Sequence, residues 1–480
     1  MKWLSIVFLW QFIFVDAAAQ TQSDTATWDL QKCVLYAMEH NISVRQADLQ
    51  KRFAALDLHQ SKQAQYPSVS GSGNIGFSAG RNQDPTSFSL ITTGYVFNNL
   101  SLQTSVDVFN WFTIKNTIAA NDLTLQARQE GLEKAKNDVA LNVAVAYLQA
   151  LLSKEQIALA QSKLEQSIAN LENTRKQVDA GKLPELNAVN LESVVAADSA
   201  ALINAKTSAS QSLLQMKALL NLDAAADFNI ATPPVDKIPV EPLAALQPDA
   251  VYAEAIQNLP QQKVDILTVA AAQKMVQVAR GAMYPTFSLF GSLGTTFNNK
   301  ATQITGKRTD NSPIGSVTVG GTPYTVFPIT PFNYFTYGKM PYFRQLDQNF
   351  RQSVGLAISV PIFNEGRLKT AWQRSKLQLE QATLQKEENS FTLKQDIYKA
   401  YNDAVAALQS FNANQKAEEA SAKAYDFAQK RYALDLLSTF DLITAQNNWQ
   451  QAKNQLLMSK YDYVFKLKLL EFYKGRGLKL

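Results

Sequence analysis

Three kinds of residue in this chain could do chemistry, and each falls short on spacing or number. Gly71-Ser72-Gly73-Asn74-Ile75-Gly76 spells G-x-G-x-x-G. It follows a helical pattern and runs into an alternating one, whereas a dinucleotide loop leaves a strand and opens a helix. The glycines therefore read as small residues on a strand. His40 and His59 are the only histidines, too few and too far apart for a metal set, and no H-E-x-x-H, C-x-x-C or G-x-S-x-G occurs. Cys33 is the single cysteine. It allows no intramolecular disulfide and reads as a small apolar residue on a short helix from Leu30 to Glu39. The expectation is a protein that is not an enzyme, with no metal and no cofactor.

What these residues sit on is more informative. From Arg367 to Lys474 the chain has neither Gly nor Pro and is rich in Ala, Gln, Asn, Lys and Leu. A run of good helix formers that excludes both breakers predicts long α-helix. Ile397, Tyr401, Ala404, Leu408 and Phe411 recur at heptad-like steps, a narrow stripe suited to a coiled-coil seam. Charge thins between Ala433 and Asp441, which places a hairpin tip there. About 70 residues at roughly 1.5 Å each give a helix of about 100 Å, far more than a globular domain needs.

The chain is an internal duplication. Ser105 to Asn110 falls on Ser359 to Asn364, an offset of 254. The same offset carries Ala146-Tyr147 onto Ala400-Tyr401 and Leu186 to Val189 onto Phe440 to Ile443. Tyr66-Pro67 falls on Tyr284-Pro285 at an offset of 218, so the second copy holds 36 additional residues before its Ser-Val motif. Each copy has a helix halted by Tyr-Pro, two alternating segments near the roughly 9–11 residues of a tilted membrane strand, and a long helical hairpin.

The predicted organisation is therefore a signal peptide at 1–19 and a first repeat at 20–222. The first repeat holds helices at 29–65, strands near 68–80 and 95–109, and a hairpin at 110–222. A Pro-rich linker outside the core follows at 223–250. The second repeat, 251–474, holds a helix at 251–283, strands near 286–298 and 352–363, and a hairpin at 366–474, before a tail at 475–480. Leu4 to Val15 is too short an apolar run to span a membrane and ends at Ala17-Ala18-Ala19, a small-residue cleavage site. No later stretch reads as apolar enough for a transmembrane helix. The net charge of +5 comes from Lys and Arg interspersed with acids, which fits solvated helix faces and not a nucleic-acid partner.

Four strands cannot close a barrel, and an open sheet in hydrocarbon leaves backbone groups unpaired at several kcal/mol each. Three chains would supply twelve strands and an even-numbered closed barrel.

The tandem copies, the Tyr-Pro before each strand pair, Val360-Pro361-Ile362-Phe363-Asn364-Glu365-Gly366-Arg367, and Arg431-Tyr432 ahead of Phe440 to Gln446 together resemble the TolC-like outer membrane efflux proteins. The resemblance runs from Trp28 to about Tyr473. It implies an α+β membrane protein: a homotrimer with a 12-stranded barrel, four strands per chain, in outer-membrane lipid of a Gram-negative bacterium. A periplasmic coiled-coil barrel would join this to a periplasmic adaptor and an inner-membrane transporter. The implied function is a passive exit duct for small toxic molecules or drugs. The alternatives are the same duct serving type I protein secretion and, in a different class, a non-conducting periplasmic coiled-coil adaptor or scaffold, which would need no strand pairs.

The resemblance also implies a constriction just past the second tip. Asp441 matches the first acidic ring of the family, while Thr444 replaces the second. Tyr432 matches a linking tyrosine, Leu437 replaces the linking arginine, and Asn187 replaces its acidic partner. The expectation is one Asp ring closed by Tyr432 and packing, with a helix-cap role for Asp441 as the alternative. The tips at Gly181, Lys182 and Leu183 and at Leu436 and Ser438 would meet the adaptor, unless they are simple turns. Trp111, Pro361 and Gly366 mark the strand-to-helix junctions. Trp111-Phe112 stands where the second copy has Glu365-Gly366, which predicts a different bend with Trp111 near the inner membrane boundary. The aromatic-rich insertion from Asn298 to Gln352 reads as an external loop. Its rings would line or cap the exit or bind a surface partner, or the segment is an ordered loop packing on itself and its neighbours.

Overall fold

The computed structural model describes residues 27–83, 88–232, 241–434 and 436–475. The expected signal peptide, Pro233 to Val240, and most of the 475–480 tail lie outside the described residues. Two compact units emerge, one built on residues 49–130 and 261–389, the other on 131–260, 390–480 and the N-terminal 48.

In the first unit, helices α2 (Ile42–Gln63) and α6 (Pro260–Gly281) end just before the two Tyr-Pro pairs. The same turn closes both: Tyr66 N–H donates to Gln63 O at 2.9 Å and Tyr284 N–H to Gly281 O at 3.1 Å. Pro cannot prolong the helix, and each chain turns into a strand. Strands β1 (Ser68–Gln83), β2 (Leu90–Phe109), β3 (Thr286–Asn298) and the later β8 (Arg351–Ser359) form one antiparallel sheet in the order β1-β2-β3-β8. The first two strands are longer than expected. β8 stops short of the expected 363, because Pro361 brings no N–H to the ladder.

Alternation gives this sheet two unlike faces. The register sets Ile75 and Phe77 beside Leu102, Leu289 and Leu356 on one face, and all of these are exposed. The opposite face carries cross-strand hydroxyl pairs: Ser72 Oγ lies 2.7 Å from Ser101 Oγ and Ser292 Oγ 2.8 Å from Ser353 Oγ, while Ser288 Oγ donates to Asp107 Oδ1 at 2.7 Å.

The insertion is ordered and carries its own strand pairs and a short helix. Strand β4 (Thr302–Asp310) pairs with β7 (Phe332–Lys339), β5 (Gly315–Val319) pairs with β6 (Thr322–Val326), and helix α7 (Tyr342–Gln348) leads back to β8. Phe332, Tyr334, Phe335 and Tyr337 remain exposed in the chain, so these rings do not pack on the loop itself.

The junctions correct one expectation. Trp111 and Phe112 are both left-handed, at φ 50° and 62°, and their counterparts Glu365 and Gly366 are too, at 57° and 77°. Helices α3 (Thr113–Asp179) and α8 (Arg367–Ala433) then start at equivalent positions. The bend is the same in both copies. In the first copy side-chain contacts hold what a glycine permits in the second: Trp111 Nε1 donates to Pro285 O at 2.8 Å, and its ring lies 4.8 Å from that of Tyr284.

The second unit is helical. Helices α1 (Leu30–His40) and α5 (Pro248–Asn258) are themselves related by the offset of 218, and Cys33/Val251 and Ala37/Ala255 are all fully buried. The expected helices at 29–65 and 251–283 are thus each broken, at Asn41 and Leu259, where extended backbone follows α1 and α5. Helices α4 (Glu185–Leu220) and α9 (Thr439–Tyr473) complete the hairpins. The linker expectation also fails at both described ends. Ile230 and Leu246 are core residues, 2% and 0% exposed. The repeat-related Tyr147 and Tyr401 grip the two ends, Tyr147 Oη donating to Ala231 O at 2.7 Å and Tyr401 Oη accepting from Gln247 Nε2 at 3.2 Å. Prolines mark irregular backbone, but the apolar residues between them still seek burial. Finally, α4 is long and apolar enough to cross a membrane by length and composition alone, contrary to the sequence reading. Its hydropathy comes from Leu, Ala and Val, and it buries Leu191, Asp198 and Leu202 within this unit.

Candidate functional site

The two hairpin tips lie in the helical unit and are built differently. At the first, Gly181 adopts φ 70°. Its N–H reaches Val178 O and that of Lys182 reaches Gln177 O, both at 2.9 Å, so the turn is a glycine-terminated Schellman motif. Lys182 is exposed and Leu183 half-buried, and α4 begins behind Pro184. The second tip has no glycine. Leu436 N–H donates to Arg431 O at 2.9 Å and Arg431 Nη2 donates back to Leu436 O at 3.2 Å. The Leu436 side chain is exposed.

Ser438 caps α9. Its Oγ accepts from Asp441 N–H at 3.1 Å and donates to Asp441 Oδ2 at 2.7 Å, a reciprocal arrangement related to the capping box. The Asp441 carboxylate is exposed while it makes this contact. Thr444 Oγ1 donates to Phe440 O at 2.9 Å, a bond that stays on its own helix.

Tyr432 is half-buried, with its Oη 2.9 Å from Thr174 Oγ1 and 3.3 Å from Thr439 Oγ1. Leu437 packs in the same cluster with Tyr425, Ala428 and Leu442. Tyr425 stacks on Trp449 at 5.2 Å, and burial pushes its phenol above the ordinary range. Asn187 is half-buried near the start of α4. The partner that α3 offers Tyr432 is Thr174, a residue the sequence did not single out.

Sequence reasoning also missed a polar network beyond this cluster. Ser167 Oγ donates to Asp198 Oδ2 at 2.6 Å, and Lys163 Nζ lies 2.9 Å from Asp198 Oδ1. Gln446 Nε2 donates to Ser167 Oγ at 3.2 Å, and Asn170 Nδ2 to Gln446 Oε1 at 3.0 Å. Ser167, Asp198 and Gln446 are buried. The network ties α3 and α4 to α9. The readable signal was the spacing of Leu191 and Asp198, one heptad apart, which sets the acid in line with a buried leucine.

No cluster among the described residues groups three or more His, Cys, Asp or Glu as a metal would require.

The sequence pattern of the outer membrane efflux proteins matches residues 36–222 and 344–476. The chain is 22% identical over 409 residues to the outer membrane efflux protein BepC of Brucella suis, covering 84% of this chain and 76% of that protein. It is 23% identical over 394 residues to the outer membrane protein TolC of Escherichia coli, covering 80% and 68%. Its fold superposes on the CmeC outer membrane channel of Campylobacter jejuni with a TM-score of 0.72 at 17% identity, covering 94% of this chain and 86% of that one. The fold is that of an outer-membrane channel with a periplasmic helical extension. The chain belongs to the outer membrane efflux protein family.

Proposed function

We propose that this protein is the outer-membrane exit duct of a tripartite efflux system, conducting small toxic molecules passively through a homotrimer. The observation that carries the reading is the two-faced, four-stranded sheet, apolar on one side and lined with serine pairs on the other. Within the chain β1 and β8 each have a single partner strand. Three copies pairing β8 with the next β1 give twelve strands and remove every edge. The apolar face then meets lipid, and the serines line a wet lumen.

In the helical unit, Asp441 contributes one acidic ring to a constriction that Tyr432 and Leu437 hold shut. The tips around Gly181 to Leu183 and Leu436 to Ser438 dock on a periplasmic adaptor, which links the duct to an inner-membrane transporter. The decisive test is single-channel conductance of the purified protein in planar bilayers, with its oligomer mass measured in the same detergent. Small, stable steps from a trimer are expected. A monomer, or a trimer that stays silent even with Tyr432 replaced, overturns the duct.

A further inference from the structure

The insertion between β3 and β8 returns to the sheet through α7, and the manner of that return points to a ligand. Gln345, 1% exposed, accepts from Asn298 N–H through Oε1 and donates to Met340 O through Nε2, both at 2.9 Å. Thr295 Oγ1 donates to Leu346 O at 2.7 Å, and the rings of Phe297 and Tyr342 lie 4.8 Å apart. Thr295 and Phe297 share the apolar face of β3 with Leu293. The short helix is therefore clamped against the apolar face, at the end of β3 remote from the Tyr-Pro junction.

In a bilayer this end of the apolar face meets the headgroup layer. What α7 presents there is unusual for water: Phe343 is 81% exposed, and Tyr342 beside it is exposed too. Around the rings stand Lys300, Lys339 and Arg344, all exposed and none with an ion pair among the described residues. The backbone brings them to one place, since Lys339 pairs with Thr302 across the ribbon and Met340 N–H donates to Ala301 O at 3.0 Å. Against these cations α7 carries one acid, Asp347. Aromatic rings with unpaired cations, continuous with a lipid-facing surface, suit the interface between hydrocarbon and anionic headgroups.

We infer that Lys300, Lys339 and Arg344, with the ring of Phe343 as a wedge, form a docking shelf for a phosphate-bearing lipid headgroup of the outer leaflet. The inference rests on the strands lying in a membrane, and its test separates the two. The full chain carrying Phe343→Trp is reconstituted into phosphatidylcholine vesicles containing either brominated phosphatidylcholine or brominated phosphatidylglycerol at equal fraction. Quenching is corrected for the parent chain. The shelf predicts preferential quenching by the anionic lipid, by at least about fivefold in relative association, the factor that a single surface cation contributes. Lys300→Gln, Lys339→Gln and Arg344→Gln together should abolish the preference. If that triple variant fails to assemble, Lys300→Gln and Arg344→Gln singly should each reduce it. Equal quenching by both lipids, or a preference that survives the substitutions, overturns the shelf. So does a Phe343→Trp chain whose added fluorescence is quenched by neither lipid, the result expected if a second copy of the chain covers that position. Leu289→Trp, on the apolar face, is quenched by both lipids if the sheet spans the bilayer. Its failure to be quenched would overturn the membrane reading itself.

Discussion

The Tyr432 Oη stands 2.9 Å from Oγ1 of Thr174, and Thr174 is completely buried. With Thr439 Oγ1 at 3.3 Å, three hydroxyls meet at one point and join α8, α3 and α9. Tyr432→Phe keeps the ring in its cluster and deletes the contact, worth about 1 kcal/mol for a neutral hydrogen bond. The expected outcome is an intact oligomer whose channels open more often in planar bilayers. Opening statistics identical to the parent would remove Tyr432 from the closure.

Asp441 combines a cap contact and a charge, and two substitutions separate them. Asp441→Asn keeps an acceptor for Ser438 Oγ and removes the charge. Divalent cations added from the periplasmic side should then block the channel less, with thermal stability unchanged. Ser438→Ala does the reverse: the loss of the N-cap costs about 1 kcal/mol, while cation block is retained. If the two variants give the same block, the acidic ring is wrong and Asp441 is a cap residue alone.

Cys33 reports on the helical unit. Its thiol is pushed from an ordinary 9.0 up to about 12, first by burial and then by the nearby Asp29 carboxylate. Because the unfolded thiol ionises first, its contribution to stability is complete below pH 9 and is lost as pH rises toward 12. At pH 8 about one folded thiol in ten thousand is ionised. Iodoacetamide should label the folded protein at least about a hundredfold more slowly than the urea-unfolded chain. Comparable rates would show that α1 opens readily.

The long helices, the strand pairs and the duplication were legible because periodicity and breaker residues are local signals. The left-handed bend at Trp111-Phe112 was not. Such backbone normally asks for glycine, as at Gly366, and the contact that replaces it comes from Pro285 in the other repeat. Ile230 and Leu246 were hidden by the prolines around them, since burial depends on what the segment crosses. Asp198 and Gln446 went unmarked, because polarity alone does not reveal a partner on another helix. Thinning charge placed the second tip, but the roles of the tip residues came from resemblance to relatives, and Thr174 escaped because nothing near it in sequence marks it.

Gly366 and Phe112 occupy equivalent left-handed positions, at φ 77° and 62°. A methyl group at Gly366 would meet nothing within 4 Å, so Gly366→Ala carries the backbone cost alone, about 1 kcal/mol. Phe112→Gly should be close to neutral. Relief of the backbone is offset by the freedom glycine gains in the unfolded chain and by the lost edge contact with Phe109, whose ring is 5.7 Å away. Thermal unfolding in detergent, followed by circular dichroism, compares the two. A destabilisation as large for Phe112→Gly as for Gly366→Ala would mean that its ring, not its backbone, sets the junction.

Asp198 is the buried charge of the polar network, held by Lys163 and Ser167, with Gln446 of α9 bonded to the same Ser167 hydroxyl. Removing one partner of a buried pair leaves the other uncompensated, at about 3–5 kcal/mol when both are enclosed. Lys163 is 27% exposed and can turn to water, so Asp198→Ala should cost nearer about 2 kcal/mol. Asp198→Asn keeps a side-chain oxygen for Ser167 and should cost less. Because the network joins the first hairpin to α9 of the second, both variants should also raise channel opening, in the same order as their loss of stability. A double-mutant cycle with Gln446→Leu tests the link. Coupling of at least about 0.5 kcal/mol is expected for residues in one hydrogen-bond network. Additive effects would mean that Asp198 stabilises the first hairpin only and has no hold on the second.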